Sequence, residues 1–236
     1  MSARLLLRIL PFAERLNRAC SKVPNDAVLD PAEFAWVPAL EREWRTIRAE
    51  LDGLMTRKDE LPGFQDILAD VGAVSDDRGW KSFLFVGVGC KLPRNIARCP
   101  RTWSALRTVP GLSTAMFSIF EPGKHLLPHR GPYNGLLRLH LGLIVPDTSD
   151  AVAIRVGSRV CHWDEGRVLV FDDSYEHEAW NRSDQVRVVL FVDFVRPLRF
   201  PANVLNRALL AFAAHAPFIR AAQRQQRKWE MEFYGS

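Results

Sequence analysis

Leucine alternates with polar or small residues over the stretch Leu137-Arg138-Leu139-His140-Leu141-Gly142-Leu143-Ile144-Val145. Successive side chains of a β-strand point to opposite faces, so we expect Arg138, His140 and Gly142 on one face and the leucines on the other. In the middle of a closed sandwich, Arg138 then points into a low-dielectric interior, where an unpaired guanidinium is prohibitively costly. The stretch therefore predicts a central strand with an anion beside it.

Other short runs rich in β-branched and aromatic residues surround this strand, and turn residues separate them. The runs cover residues 80–88, 115–120, 151–156, 167–171 and 186–195. Turn signals include Pro122-Gly123, Gly157-Ser158 and the segment 181–184. We find no helical pattern between the runs, whereas parallel βαβ units require one. The pattern favours an antiparallel sandwich or jelly roll.

Helical patterns flank this β-rich region on both sides. Residues 41–54 place apolar side chains at spacings of three and four, residues 59–70 form a shorter candidate, and helical periodicity returns after Pro197. We divide the chain into an N-terminal helical segment, a β core and a basic C-terminal helical segment, all within one structural domain. The boundaries are 1–78, 79–198 and 199–236.

The positive charge of the chain is concentrated at its ends. The 236 residues carry a formal net charge of +5, and 47% of them are hydrophobic. Residues 1–22 and 197–236 together hold eleven basic and three acidic side chains, while the stretch between them is slightly acidic. A nucleic-acid groove needs positive charge around the core, so we expect no nucleic-acid partner. Basic ends suit peripheral contact with a membrane surface, with a solvated helix face as the alternative.

Cysteine usage and hydropathy predict where the protein resides. Cys20, Cys90, Cys99 and Cys161 form no CxxC pair, and no signal peptide is recognisable. The leucine-rich residues 5–10 are too few to span a bilayer. We therefore expect a reduced, cytoplasmic protein, with room for peripheral contact at the inner face of the membrane.

Histidines cluster in the β-rich region. His125, His129 and His140 lie within sixteen residues, and His177 follows a later strand. A helical zinc pair of His125 and His129 is disfavoured because Pro128 stands between them. The helical motif HExxH is also absent, since Asn181 stands where its second histidine is required.

A second arginine interrupts a strongly apolar strand. Arg187 lies in residues 186–192, which contain no acid. Two arginines facing the core from different strands suggest a small dianionic ligand. The alternative is that they pair with acids of the chain itself, namely Asp172, Asp173 or Asp193.

Several blocks together resemble the aspartyl/asparaginyl β-hydroxylase family. They are residues 116–123, Pro128-His129-Arg130-Gly131-Pro132, residues 138–143, residues 171–180, and Arg187. The resemblance spans about residues 79–198 and keeps the order and spacing of the blocks. It implies a mainly β fold with flanking helices, a double-stranded β-helix of the jelly-roll, cupin-like kind. It also implies a dioxygenase that uses Fe(II), 2-oxoglutarate and O2, hydroxylates an unactivated carbon, and releases succinate and CO2.

The resemblance also implies roles for individual residues. His129 and His177 match the iron ligands. Four further residues match those that hold 2-oxoglutarate, Ser118 and Arg187 at its distal carboxylate and Arg138 and His140 near the end that chelates iron. Trp80 matches a tryptophan near the site, and core packing is its alternative role.

Gly131 departs from the usual pattern of such iron sites. Most non-haem iron oxygenases use two histidines and a carboxylate, and Gly131 occupies the carboxylate position. The resemblance to animal aspartyl hydroxylases implies that water completes the iron shell there; the alternative is an inactive protein that no longer holds iron. We expect Asp173 and Glu178 to orient the ligands.

The substrate is left open between two subgroups. Aspartyl hydroxylases of the family carry an arginine where this chain has Leu136, which favours a less acidic substrate. The chain also resembles bacterial hydroxylases of lipid A or ornithine-lipid acyl chains at residues 21–24, 79–81 and 198–201, although those enzymes usually keep an Asp at the position of Gly131. The candidate substrates are thus an aspartyl or asparaginyl group or a lipid acyl chain. A catalytically silent cupin-like module that binds a dicarboxylate is the alternative to an enzyme.

Overall fold

The computed structural model of the chain describes residues 3–67, 78–146 and 149–235, without the side chains of residues 3–8, Ile67 and Phe218. Within this part it contains eight α-helices and eleven β-strands. The helices are α1 (Ala3–Cys20), α2 (Val37–Arg42), α3 (Trp44–Met55), α4 (Phe64–Ile67), α5 (Pro93–Arg98), α6 (Pro100–Leu106), α7 (Ala202–Ala213) and α8 (Pro217–Tyr234).

The strands are β1 (Val28–Leu29), β2 (Trp80–Gly87), β3 (Cys90–Lys91), β4 (Leu112–Phe120), β5 (His125–His129), β6 (Leu136–Ile144), β7 (Val152–Val156), β8 (Arg159–Cys161), β9 (Val168–Phe171), β10 (His177–Asn181) and β11 (Arg187–Val195).

The strands form two facing antiparallel sheets. The larger has the order β1-β9-β6-β11-β4-β2-β3, and the smaller has the order β5-β10-β7-β8. From β4 to β11 the chain crosses repeatedly from one sheet to the other. Strands β4, β6, β9 and β11 belong to the larger sheet, and strands β5, β7, β8 and β10 form the smaller sheet. This is the connectivity of a double-stranded β-helix, and the predicted mainly β fold with flanking helices is confirmed.

The two faces of the larger sheet have different partners. The odd-numbered leucines of β6 are fully buried beneath helices α2, α3, α6 and α8. The opposite face turns toward the smaller sheet and forms a second apolar cluster with it, which includes Met116, Phe171 and Val189. Strand periodicity therefore places Arg138 and His140 between the sheets, on the side predicted from the alternation of β6.

Register between neighbouring strands decides which polar groups meet. Arg138 lies opposite Asp193 of β11, and His140 lies opposite Phe191. Arg187 lies opposite Phe120 of β4. One arginine is thus provided with an acid by the sheet itself and the other with an aromatic ring.

Some sequence expectations about elements are corrected. Helices α5 and α6 lie between β3 and β4, where no helix was expected; each begins with proline at its first position, which favours a helix start. The helix expected at 41–54 is observed as α3, and Glu43 separates it from α2. In the 59–70 candidate, only α4 and a short 3-10 turn are helical, and residues 68–70 lie outside the described part.

The N-terminal helix α1 packs on α7, and the C-terminal helix α8 packs on the larger sheet. α1 packs against α7 around Ala13, Tyr133 and Leu209, while α8 packs Trp229 and Phe233 on Phe83 of β2. All four cysteines are free thiols.

None of the helices in the described part of the chain is long and apolar enough to cross a bilayer.

Candidate active site

Two strands of the smaller sheet bring His129 and His177 together. The residues are direct cross-strand partners of β5 and β10, and their ring centroids lie 4.2 Å apart. In each ring Nδ1 lies within hydrogen-bond distance of a backbone carbonyl, at 2.7 Å from Leu127 O for His129 and 2.9 Å from Tyr175 O for His177. When Nδ1 donates this bond, the lone pair of Nε2 is left free in both rings.

Both histidines are held in the neutral form. Burial, together with the nearby charge of Arg138, lowers the pKa of His177 to about 3. Burial also lowers the pKa of His129, against the effect of its bond to Leu127. His177 Nε2 is a buried atom with no hydrogen-bond partner in the described structure. Neutral imidazoles with free nitrogens are the form in which histidine binds a metal.

Asp173 fills the space beside Gly131. A Cβ on Gly131 would overlap the Asp173 carboxylate, and the Gly131 amide donates to Asp173 O at 2.7 Å. Burial raises the pKa of Asp173 to about 6, although Arg138, 2.9 Å from Oδ2, opposes that rise. Asp173 Oδ1 has no partner among the described residues. A carboxylate is thus present near the two histidines, but it comes from the segment after β9 instead of from position 131.

The two histidines and Asp173 do not form a preorganised three-ligand cluster. No group of three His, Cys, Asp or Glu side chains is arranged to hold a metal within the described ranges. The two histidines thus stand as a pair of nitrogen donors within the described ranges. The buried and unpartnered Nε2 of His177 fits a metal ligand.

Arg138 is neutralised by the chain itself. Its guanidinium binds Asp193 at 2.8 Å and Asp173 at 2.9 Å, and it lies over the Phe191 ring. Burial by itself lowers the pKa of Arg138, but the carboxylates of Asp193 and Asp173 keep that pKa above its ordinary value. For this arginine the structure shows the alternative of internal pairing, and the anions predicted beside it are the carboxylates of Asp173 and Asp193.

Arg187 is in the opposite situation. It is fully buried, and no carboxylate of the described chain lies within ion-pair distance of it. Its guanidinium lies 3.8 Å from the centroid of Phe120 and 4.6 Å from that of Trp163. Its one hydrogen bond to the described residues is a long one of 3.5 Å to Ser118 O. Asp172, a candidate partner, binds Arg196 instead. Burial lowers the pKa of Arg187 to about 9, so the group remains cationic and uncompensated at neutral pH.

Polar atoms without partners continue from Arg187 toward the two histidines. Within the described structure, Arg187 Nε, Trp163 Nε1 and both ring nitrogens of His140 are buried and make no hydrogen bond. The His140 ring contacts Trp163 on one side, with centroids 6.0 Å apart, and Phe171 on the other. Phe171 in turn contacts His177. Buried polar atoms normally have partners, so this line of groups fits an anionic ligand that reaches from Arg187 to the histidine pair.

Ser118 and Trp80 complete the end near Arg187. Trp80 Nε1 donates to Ser118 Oγ at 3.0 Å, which leaves the hydroxyl proton free to donate to a ligand. Trp80 also stacks on Phe64. Trp80 is thus packed in the core, and its role in the site stays a prediction. Burial, then Arg187 and Arg138, lower the pKa of His140 well below its ordinary value, so its ring is neutral.

Two residues were misjudged or missed at the sequence level. Glu178 does not orient the histidine pair: it binds His125 at 2.9 Å and Arg155 at 2.6 Å, because strand alternation turns it to the face opposite His177. Trp163 was missed because it lies in a connection between strands, where a single tryptophan carries no periodic pattern.

A cavity of about 760 Å³ opens beside the histidines. His129, Gly131, Arg138 and Asp173 line one part of it. Its other walls are largely apolar, formed by side chains that include Phe64, Trp80, Leu84, Leu92, Phe191 and Ile219. Helix α8 adds Gln226, which is buried and whose amide makes no hydrogen bond of ordinary geometry within the described chain. The sequence did not predict that this helix forms a wall of the cavity.

The fold and site define a double-stranded β-helix protein with a histidine pair and a buried arginine that has no carboxylate partner in the described chain. Residues 41–197 match the family model for aspartyl/asparaginyl beta-hydroxylase. The chain therefore belongs to the aspartyl/asparaginyl β-hydroxylase family, and the resemblance inferred from the sequence is confirmed. It is a member of a hydroxylase family.

Two curated relatives represent the two subgroups considered above. The chain is 54% identical over 231 residues to an ornithine lipid ester-linked acyl 2-hydroxylase of Rhizobium tropici, covering 98% of this chain and 82% of that protein. It is 32% identical over 166 residues to the human aspartyl/asparaginyl beta-hydroxylase, covering 68% of this chain and 21% of that protein.

A solved structure of a Pseudomonas putida prolyl-4-hydroxylase is also similar, with 14% identity and a TM-score of 0.41 over 68% of this chain and 98% of that chain.

Proposed function

We propose that the protein is an Fe(II)- and 2-oxoglutarate-dependent hydroxylase that acts on the acyl chain of a lipid. The observation that carries the cofactor assignment is Arg187, a buried cation without a carboxylate partner in the described chain. A buried charge without a partner destabilises the folded protein, and a bound anion would neutralise the charge of Arg187. A dicarboxylate supplies that anion and has a second carboxylate for the metal end of the site.

Each group around the pocket then has a role in binding. Arg187 and Ser118 would hold the distal carboxylate, with Trp80 orienting the Ser118 hydroxyl and Trp163 offering a further donor. His140 and Arg138 would lie near the other end. His129 and His177 would hold iron through their free Nε2 atoms. When bound, iron with 2-oxoglutarate and O2 supplies the chemistry that inserts one oxygen atom into a C–H bond and yields succinate and CO2.

The remaining side chains keep the reaction centre dry and ordered. Phe171 lies between His140 and His177, while Phe191 covers Arg138. Asp173 and Asp193 fix Arg138 from two sides. Asp173 Oδ1 is a buried acceptor without a partner in the described chain, and it would accept a hydrogen bond from a water molecule that completes the iron shell.

The cavity supports a lipid acyl chain as the substrate. Its walls away from the histidines are mainly aliphatic and aromatic, which suits a hydrocarbon chain. The Rhizobium tropici relative, by its description, acts on the ester-linked acyl chain of ornithine lipid. We propose the same class of substrate for this chain, with the protein in the cytoplasm and at the inner face of the membrane.

An aspartyl or asparaginyl group is the second candidate substrate. The human relative favours it, and Lys91, Arg130 and Arg227 beside the cavity would attract an acidic residue. Leu136 argues against it because it stands where aspartyl hydroxylases of the family carry an arginine.

Anaerobic spectroscopy tests the cofactor assignment. Adding Fe(II) and 2-oxoglutarate to the wild-type protein should produce a weak visible charge-transfer band, and His129→Ala or His177→Ala should abolish that band. His125→Ala is the matched control, since His125 pairs with Glu178 outside the pocket, and it should keep the band. No band in the wild type would support the silent dicarboxylate-binding module.

Lipid analysis tests the substrate assignment. Lipid extracts from wild-type cells should contain species that are heavier by one oxygen atom, and these species should be missing from a deletion strain. The deletion strain complemented with His177→Ala should also lack them. Identical lipid profiles would contradict the acyl-chain assignment and favour the aspartyl or asparaginyl substrate.

A further inference from the structure

Helix α7 presents an unusually apolar surface to solvent. Its exposed residues Val204, Ala208, Ala211 and Phe212 recur at helical spacing and form one face. Val204 is 58% exposed and Phe212 41%, and Phe200, just before the helix, is 78% exposed. Single exposed apolar residues are normal, but a continuous apolar helix face marks an interaction surface.

Helix α1 adds to the same side of the molecule. It packs on the inner face of α7 through Ala13 and Leu209, while Phe12 is 62% exposed. The end of α1 is tied to the start of α7, because Ser21 bridges Leu198 and the Arg199 amide donates to Cys20 O at 2.8 Å. We call this helix pair, residues 9–22 and 198–213, the α1–α7 platform.

Unpaired basic residues border the apolar face. They are Arg15, Arg18, Lys22, Arg199 and Arg207, all exposed. In the described part of the structure, none of the five forms an ion pair with an acid. The platform itself contains one acid, Glu14. Exposed apolar side chains surrounded by free cations are complementary to an anionic bilayer surface.

The platform contacts the chain segment that directly follows three cavity-lining residues. Arg130, Gly131 and Pro132 line the cavity, and the next residues along the chain contact the platform. Asn17 of α1 donates to Tyr133 Oη at 2.9 Å, and Asn206 of α7 donates to Gly135 O at 2.9 Å. Buried hydrogen bonds therefore link the inner side of the platform to the segment that follows the cavity-lining residues.

We propose that the α1–α7 platform docks the protein on an anionic phospholipid bilayer. The apolar side chains Phe12, Phe200, Val204 and Phe212 enter the interfacial region, and the five basic residues contact lipid phosphates. A second copy of the chain is a poorer occupant, because a two-fold interface through this face would place its unpaired cations against one another. The role of this docking in substrate delivery rests on the proposed lipid hydroxylase function, but the docking itself does not.

Vesicle sedimentation tests the proposal. The full-length protein should sediment with vesicles of phosphatidylcholine containing about one third phosphatidylglycerol, and much less with phosphatidylcholine alone. The triple variant Phe200→Ser, Val204→Ser, Phe212→Ser should bind about tenfold more weakly. A second variant, Arg18→Gln, Lys22→Gln, Arg199→Gln, should lose affinity similarly and should lose the salt dependence of binding.

The matched control alters an exposed apolar and basic pair elsewhere. Arg159→Gln with Val160→Ser changes strand β8, where Val160 is 48% exposed, and should leave vesicle binding unchanged. The far-UV circular dichroism spectrum and thermal midpoint of each variant show whether it is folded. Wild-type vesicle affinity in both platform variants would overturn the proposal. It would also be overturned if the wild-type protein were a dimer, the serine variant a monomer, and neither bound vesicles.

The outcome is separable from that of the proposed function. Binding to vesicles without an Fe(II)–2-oxoglutarate band supports docking and contradicts the hydroxylase. Hydroxylation of detergent-dispersed lipid by a protein that does not bind vesicles supports the hydroxylase and contradicts docking.

Discussion

Arg138 and Arg187 show how register gives two similar residues different roles. Each interrupts an apolar strand, and each faces the space between the two sheets. The register of β6 and β11 sets Asp193 opposite Arg138, while Arg187 lies opposite Phe120. Arg138 is therefore part of an internal ion-pair network, and Arg187 is a buried cation without a carboxylate partner in the described chain.

Replacing Arg187 separates ligand binding from stability. Without a ligand, Arg187→Met removes an uncompensated buried charge, so we expect the free energy of unfolding to rise by about 1 to 3 kcal/mol. The same change should abolish the stabilisation of the protein by 2-oxoglutarate. Denaturant unfolding with and without 2-oxoglutarate measures both effects, and Arg167→Met on the exposed surface should change neither. A ligand-free Arg187→Met protein that is less stable than wild type would contradict this account of Arg187.

Gly131 cannot simply be returned to the aspartate of other iron oxygenases. Gly131→Asp places a second carboxyl group in the space of Asp173, so we expect a loss of about 2 kcal/mol or more in unfolding free energy. The double change Gly131→Asp, Asp173→Gly vacates that space and should recover most of the loss. Thermal unfolding of the single and double variants measures the coupling, and equal stability of wild type and Gly131→Asp would show that the space is not occupied.

At the residue scale, the sequence predicted the groups of the site but not all of their partners. His129, His177, Ser118, His140 and Arg187 are brought to one region, as the resemblance implied, although their functional roles remain proposals. Partners across strands were not predictable, because they depend on register and bulges; β11 has one between Val188 and Val189 in its pairing with β6. The position of Trp163 in the site and the contact between Gly131 and Asp173 could be identified only from the structure.

Strands and helices differed in how well their patterns predicted them. β6 and β11 were evident because their apolar runs are long and their faces differ. β5 and β10, which carry the two histidines, were not predicted as strands, because each has only five residues and β5 contains Pro128 and mixes exposed and buried positions. α8 was predicted as helical, but its position over the cavity depends on packing between residues far apart in the chain.

Helix α8 contributes to stability through its aromatic end. Phe233 is buried against Phe83 on the outer side of β2, so Phe233→Ala should lower the free energy of unfolding by about 3 to 4 kcal/mol. Met231, exposed on the same helix, provides the control, and Met231→Ala should change stability by less than about 0.5 kcal/mol. Binding of 2-oxoglutarate should be retained in both variants because Phe233 faces away from the pocket. Equal destabilisation by the two changes would contradict the observed packing of α8.

The whole molecule combines two apolar layers with one polar passage between its sheets. The helices cover the outer face of the larger sheet, and the space between the sheets contains the cavity, the histidine pair and Arg187. Basic residues lie mostly outside this region. The excess of positive charge in the sequence therefore describes the surface of the terminal helices. Inside the molecule, Arg138 and Arg196 pair with acids of the chain, and Arg187 has no carboxylate partner within the described residues.

Metal and 2-oxoglutarate should stabilise the folded protein together. Ligands that bind only the native state raise its stability by about 2.7 kcal/mol at a hundred times their dissociation constant, which corresponds to a rise of about 5 to 10 °C in Tm. We expect Mn(II) with 2-oxoglutarate to produce such a rise, and removal of the metal with a chelator to eliminate most of the 2-oxoglutarate effect. An equal rise in the presence of chelator would mean that the dicarboxylate binds without the histidine pair.

The most direct test of the central claim is the fate of molecular oxygen. Purified protein, Fe(II), 2-oxoglutarate and an acylated ornithine lipid are incubated under isotopically labelled O2, and the lipid is analysed by mass spectrometry with fragmentation. We expect one labelled oxygen atom in an acyl chain, formed in step with succinate, and no labelled product with Arg187→Met or His177→Ala. If the wild-type protein forms the Fe(II)–2-oxoglutarate band but leaves the lipid unmodified, the assignment as an acyl-chain hydroxylase is contradicted.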